Sequence, residues 1–222
     1  MSNSEVLPFE LTPPGEVHVR GFLHVPESPS GDGVVLTHGA GANCQSPLLI
    51  TLATAFSESG TTVLRCDLPF RQLRPHGPPS RGSAERDQHG LLLAVEAMRE
   101  RLGGRVFLGG HSYGGRQASM LAAAQPGLVA ALLLLSYPLH PPKRADQPRT
   151  AHFPSLCTPS LFVHGTRDGF GSIQEMRAAL ELIPVRTDLL VVDRVGHELV
   201  SARTKDDVAR SIVQAFWRFV AQ

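Results

Sequence analysis

The chain has 222 residues, 42% hydrophobic and 18% charged, which suits one globular domain over residues 1–222 with a sizeable core. Its net charge of +1 sets up no field that would draw nucleic acid, an anionic membrane or acidic substrates. Cys44, Cys66 and Cys157 form neither an even framework nor a C-x-x-C pair, Met1–Glu10 lacks the basic and apolar regions of a signal peptide, and the apolar run Leu128–Leu135 is too short to span a bilayer, so a reducing, cytoplasmic setting is expected.

In chain order, Val17–Val25 alternates as a strand does and is followed by a turn through Pro26, Pro29, Gly31 and Gly33. Val34–Leu36 is a short apolar strand ending in Thr37-His38-Gly39. Pro47–Ser59 has apolar residues at helical spacing, with Ser46 as N-cap and Gly60 as stop. Thr61–Cys66 is the next strand. A Pro/Arg-rich loop, Asp67–Gly82, leads to a helix over Ser83–Leu102 closed by Gly103-Gly104. Arg105–Leu108 is a strand, Ser112–Ala124 a helix halted before Pro126, and Ala130–Leu135 a strand. After a proline-rich connection come a strand at Ser160–Val163, a helix at Ser172–Leu182, a strand at Leu189–Val192 and a last helix at Lys205–Phe219.

Strands of unbroken Val/Leu character are buried on both faces, and their alternation with helices predicts an α/β class: a doubly wound, mostly parallel sheet flanked by helices. In such sheets ligands bind beyond the carboxyl ends of the strands, so reactive side chains should follow strands directly.

They do. After Arg105–Leu108 comes Gly109-Gly110-His111-Ser112-Tyr113-Gly114-Gly115, in which Gly110-x-Ser112-x-Gly114 has the pattern of a nucleophile elbow. A strand turning abruptly into a helix strains the serine backbone, and side chains at the flanking positions would collide, hence the glycines. A serine hydroxyl needs a base, and the base an orienting group. Asp168 follows the strand Ser160–Val163, and His197 follows Leu189–Val192. Among the ten histidines, His140 and His152 lie in the proline-rich connection with no strand to aim them, and His164 precedes the acid. Asp188 and Asp193 flank the last strand with no strand and helix between them and His197, so Asp168 is preferred; its alternative role is pairing with Arg167. Two backbone N–H groups should stabilise the developing oxyanion: that of Tyr113, after the nucleophile, and that of Ala40 in His38-Gly39-Ala40-Gly41-Ala42, with Gly41 as the alternative.

Thr37-His38-Gly39-Ala40-Gly41, Arg65-Cys66-Asp67-Leu68-Pro69-Phe70, Gly110-His111-Ser112-Tyr113-Gly114-Gly115-Arg116, His164-Gly165-Thr166-Arg167-Asp168 and Gly196-His197 together resemble the α/β-hydrolase superfamily over roughly Val17–Phe219. Within it the chain looks like the small dienelactone-hydrolase-like branch. It is similar there to the group holding testis-expressed proteins and a subunit of a chromatin acetyltransferase complex. Dienelactone hydrolases proper use cysteine where this chain has Ser112, so their substrate does not carry over. The resemblance implies a serine hydrolase of carboxylic esters that needs no cofactor and no metal. A catalytically silent scaffold and an acyltransferase using the same residues are the competing readings.

The interval Ser136–Pro159, with further prolines at Pro138, Pro141, Pro142, Pro148 and Pro154, is too short for a multi-helix lid. A shallow, open site for short-acyl or water-soluble small-molecule esters is therefore expected. Arg71, Arg74, His76 and Arg81 in the loop Asp67–Gly82 either meet an anionic substrate or are simply solvated, the second being preferred. Tyr113 and Phe70 either line the acyl pocket or pack.

Overall fold

The structure, a computed structural model, describes residues 4–201 and 203–222. Eight strands, β1 (Glu5–Leu11), β2 (Val19–Val25), β3 (Gly33–Thr37), β4 (Thr62–Cys66), β5 (Val106–His111), β6 (Leu132–Leu135), β7 (Ser160–Gly165) and β8 (Thr187–Val192), form one sheet in the order β1-β2-β4-β3-β5-β6-β7-β8. From β4 to β8 neighbouring strands run parallel; β2 is antiparallel to both β1 and β4. The helices are α1 (Pro47–Glu58), α2 (Pro69–Leu73), α3 (Ser83–Arg101), α4 (Tyr113–Ala124), α5 (Ile173–Leu180) and α6 (Lys205–Val220). None is long and apolar enough to cross a membrane among the described residues.

Each central strand is apolar on both sides because each side meets a different helical layer. Val35, Leu64, Leu108, Leu134 and Phe162 pack with residues of α3, α4 and α5. Val34, Leu36, Val63, Phe107, Leu133 and Leu161 pack with α1 and α6. In α6 the buried residues Ala209, Ile212, Val213, Phe216 and Phe219 recur every three or four positions, one face of a helix turned to the sheet.

Three features depart from the sequence reading. β1 is an addition: it is mostly exposed, carries Pro8 and pairs only with β2, as an edge strand can, because proline has no N–H to give to a second neighbour. The stretch expected to be a plain loop from Asp67 begins with α2, whose Pro69 stands at the first turn, where a missing N–H costs nothing. Ser46 holds the N-cap position of α1 but its side chain makes no capping bond; the true capping box is at α5, where Ser172 and Glu175 bond reciprocally. Between Ser136 and Pro159 the only regular piece is a single 3₁₀ turn, Phe153–Ser155, so no helical lid covers the strand ends there.

Candidate active site

At the junction of β5 and α4, Ser112 has φ 51° and ψ −115°, a conformation that L-residues adopt only under constraint. The constraint is visible. The Ser112 N–H is fixed to the Leu135 carbonyl at 2.8 Å, at the end of the neighbouring strand. A Cβ on Gly110 would lie 2.6 Å from the Gly115 nitrogen, and one on Gly114 would lie 2.5 Å from the His38 carbonyl. Chain segments pass here without room for side chains, and that close passage forces the serine outward.

The loops after β7 and β8 are tied together: the Arg167 N–H bonds the Val195 carbonyl at 2.9 Å and the Thr166 N–H the Val192 carbonyl at 3.0 Å. They bring Asp168 Oδ2 to 2.8 Å from His197 Nδ1, and His197 Nε2 to 2.7 Å from Ser112 Oγ. An ionised carboxylate only accepts, so Nδ1 carries the proton and Nε2 is left to accept the serine O–H. The second carboxylate oxygen of Asp168 accepts the Phe170 N–H at 2.8 Å. Burial by itself would raise the Asp168 carboxyl; the bonds from His197 and Phe170 outweigh it and hold the group below the ordinary carboxylate range. The imidazole is further confined by the Phe170 ring, centroids 4.2 Å apart, and by His111, whose Nε2 bonds the His197 carbonyl at 2.8 Å.

Opposite this line lies the β3 exit. A Cβ on Gly39 would sit 3.4 Å from that of Ser112, so the segment abuts the nucleophile elbow. His38 is fully buried; it accepts the Leu68 N–H at Nε2 (3.0 Å), which leaves Nδ1–H to donate to the Gly39 carbonyl (2.8 Å). Burial, aided by the charge of Arg71, pushes His38 down to about 4, so it is neutral at ordinary pH and keeps this tautomer. Because a peptide is planar and trans, a carbonyl of Gly39 turned to His38 turns the Ala40 N–H away from it. The Ala40, Gly41 and Tyr113 N–H groups donate to no protein acceptor among the described residues. Free, oriented donors beside a nucleophile are what a developing oxyanion requires.

A cleft of about 390 Å³ opens beside this site, lined by Ala42, Pro47, Leu48, His111, Glu198 and Val200 among others. None of Arg71, Arg74, His76 and Arg81 in the loop after β4 is among the residues lining this cleft. Arg71 is buried and bonded to backbone carbonyls, while Arg74, His76 and Arg81 are exposed. Phe70 is packing: it is 3% exposed and meets the Tyr113 ring edge-on at 5.6 Å. The Tyr113 hydroxyl donates to Asp87 Oδ2 at 2.7 Å, and Asp87 Oδ1 accepts the Phe70 N–H at 2.9 Å.

A sequence profile of the family described as "Alpha/beta hydrolase domain" matches residues 31–222. The chain belongs to that family. It is thus a hydrolase, and its fold has parallels among solved hydrolases. A dienelactone hydrolase from Anabaena variabilis superposes with a TM-score of 0.75 at 22% identity, covering 97% of this chain and 98% of that one. An α/β serine hydrolase without a lid from Xanthomonas campestris gives 0.74 at 20% identity over 97% and 95%. The esterase domain of a Rhodothermus marinus protein gives 0.70 at 16% over 98% and 99%.

Ser112, Asp168 and His197 are thus brought into one hydrogen-bonded line, with the backbone of Tyr113 and Ala40 beside it. Sequence reasoning missed His111, Phe170 and Asp87 in this hydrolase. Only His111 carried a signal, its place between two elbow residues; Phe170 and Asp87 reach the site through loop and helix geometry that spacing does not encode.

Proposed function

We propose that the protein, acting as one catalytic domain over residues 1–222, is a serine hydrolase of carboxylic esters. Ser112 Oγ attacks the ester carbonyl as its proton passes to His197 Nε2. The tetrahedral oxyanion is met by the N–H groups of Tyr113 and Ala40. Its collapse breaks the C–O bond to the alcohol, which takes the proton from Nε2 and departs. Water then attacks the acyl-serine, giving its proton to the same nitrogen, and the second collapse returns that proton to Ser112 and frees the acid. Asp168 holds the imidazole in the needed tautomer throughout.

The observation that supports this reading is the unbroken chain from Ser112 Oγ through His197 to Asp168, at 2.7 and 2.8 Å, beside unused backbone donors. The lack of a helical lid over Ser136–Pro159 favours short-acyl or water-soluble small-molecule esters over long-chain lipids. The test is labelling by a fluorophosphonate probe together with hydrolysis of p-nitrophenyl esters of increasing acyl length. Wild type should label and prefer acetyl or butyryl chains, and Ser112→Ala should lose both labelling and turnover. A wild-type protein that neither labels nor cleaves an activated ester would make the fold a scaffold. Faster cleavage of long-chain esters would overturn the substrate class.

A further inference from the structure

Arg71 in α2 is 4% exposed, and its guanidinium has no carboxylate within ion-pair distance among the described residues. Its donors go to carbonyls instead: Nε to Ala42 at 2.7 Å, one terminal nitrogen to Ala40 at 2.6 Å and Gly77 at 3.0 Å, the other to Arg74 at 3.0 Å. The Phe70 ring lies under it at 4.9 Å. With no counter-ion, the cost of burying this cation is offset by its bonds to backbone oxygens, and those oxygens are held in return.

Two of the four belong to the segment beside Ser112. The Ala42 N–H bonds the Gly39 carbonyl at 3.1 Å, which makes Gly39–Ala42 a β-turn with Ala40–Gly41 as its central peptide. That peptide has two accessible orientations, related by a flip, and a glycine at the third position normally favours the one with positive φ. Gly41 does not take a positive φ here. Arg71 grips the Ala40 oxygen and so selects the other orientation, while His38 fixes the preceding peptide through the Gly39 oxygen.

We propose that Arg71 is a positioning residue: through the Ala40 oxygen it orients the Gly41 N–H and anchors Ala40, whose own N–H lies in the preceding peptide fixed by His38, and it is not a binding site for substrate anions. The proposal rests on the serine-hydrolase reading above. Lysine keeps the charge but cannot span four carbonyls, so Arg71→Lys should behave as a loss of the lock. A donor displaced by about 1 Å can cost on the order of 10² in rate.

The experiment measures kcat and KM for p-nitrophenyl acetate, and inhibition by a trifluoromethyl ketone, in wild type, Arg71→Lys, Arg71→Ala and the exposed control Arg74→Ala. Thermal melts correct each rate to folded protein. The expected result is a fall in kcat of about 10- to 100-fold for both Arg71 variants, with KM within about 3-fold and ketone affinity weakened in parallel. Millimolar guanidinium, but not methylammonium, should restore part of the kcat of Arg71→Ala, and Arg74→Ala should match wild type. Full kcat in the folded fraction of Arg71→Lys would overturn the proposal, as would a rise in KM confined to anionic esters. An inactive wild type would instead refute the serine-hydrolase reading, so the two failures are distinguishable.

Discussion

Replacing Asp168 by asparagine removes one charge and changes almost no volume, which makes it a sharp test of the line Ser112–His197–Asp168. In the native site Oδ2 accepts the Nδ1 proton at 2.8 Å and Oδ1 accepts the Phe170 N–H at 2.8 Å. The asparagine oxygen can satisfy only one of these. If it keeps Phe170, its amide N–H₂ faces Nδ1, and the ring must shift its proton to Nε2, the atom that should receive the serine proton. The imidazolium formed in the transition state also loses its counter-charge. Two unit charges about 4 Å apart interact by about 4 kcal/mol at an effective dielectric of 20, which is about three decades in rate at roughly 1.36 kcal/mol per decade. The tautomer cost brings the expected loss to about 10⁴ in kcat, the size seen for the equivalent change in a serine protease. The assay is kcat for p-nitrophenyl acetate, with near-native circular dichroism as the control for folding. Retention of more than about a tenth of wild-type kcat would refute the assignment of Asp168 as the orienting group.

Acid should destabilise the fold before carboxylates titrate. His38 stays neutral down to about 4 when folded but takes up a proton near 6.5 when unfolded, so stability is full above pH 6.5 and falls as pH drops toward 4. The gap corresponds to about 3 kcal/mol at roughly 1.36 kcal/mol per pH unit, with His24 and His152 acting in the same direction. Denaturant melts at pH 7, 6 and 5 should show this, and His38→Gln should flatten the slope; an unchanged midpoint across the window would count against it. Gly114→Ala would place a Cβ 2.5 Å from the His38 carbonyl and 2.7 Å from Thr37 Cγ2, so the β3 exit must move. It should cost about 1–3 kcal/mol in stability and a larger share of kcat, read by thermal melting beside turnover. Tyr113→Phe deprives the buried Asp87 of its hydroxyl partner, 2.7 Å away, and should cost about 1–3 kcal/mol while kcat changes little, because only the Tyr113 backbone faces the oxyanion.

The parallel core was readable because strands buried on two faces must be apolar at every position, and Leu132–Leu135 or Val34–Leu36 have no other use for such a pattern. The same logic singled out Ser112, Asp168 and His197, which follow three strands and which the fold brings into one hydrogen-bonded line. β1 and α2 were hidden for opposite reasons. β1 is an edge strand with Pro8 and little burial, so alternation was weak. α2 has five residues, fewer than two turns, and no periodicity can register in a length so short. Arg71 was visible only as one of several arginines in a loop. Its difference from exposed Arg74 and Arg81 depends on which carbonyls the fold turns toward it.

The side chains proposed to catalyse and the backbone groups proposed to assist them are held by different means, and the difference matters for how the site fails. Ser112, His197 and Asp168 hold one another, so removing one member is felt at once by the others. The donors of the 39–42 turn are held from behind, by His38 through the Gly39 oxygen and by Arg71 through the Ala40 oxygen. Protonating His38 leaves its Nδ1–H bond to Gly39 intact but puts a second proton on Nε2, against the Leu68 N–H. The hydrogen bond that breaks therefore joins His38 to the residue just before α2, the helix that carries Arg71. The added proton faces the Asp67 carboxylate, 3.7 Å from Nε2, instead of Leu68, so acid is expected to loosen the turn through the support of its arginine rather than by breaking the turn directly. A guanidinium that is free to move should leave Ala40–Gly41 able to flip while the serine, histidine and aspartate are still in line.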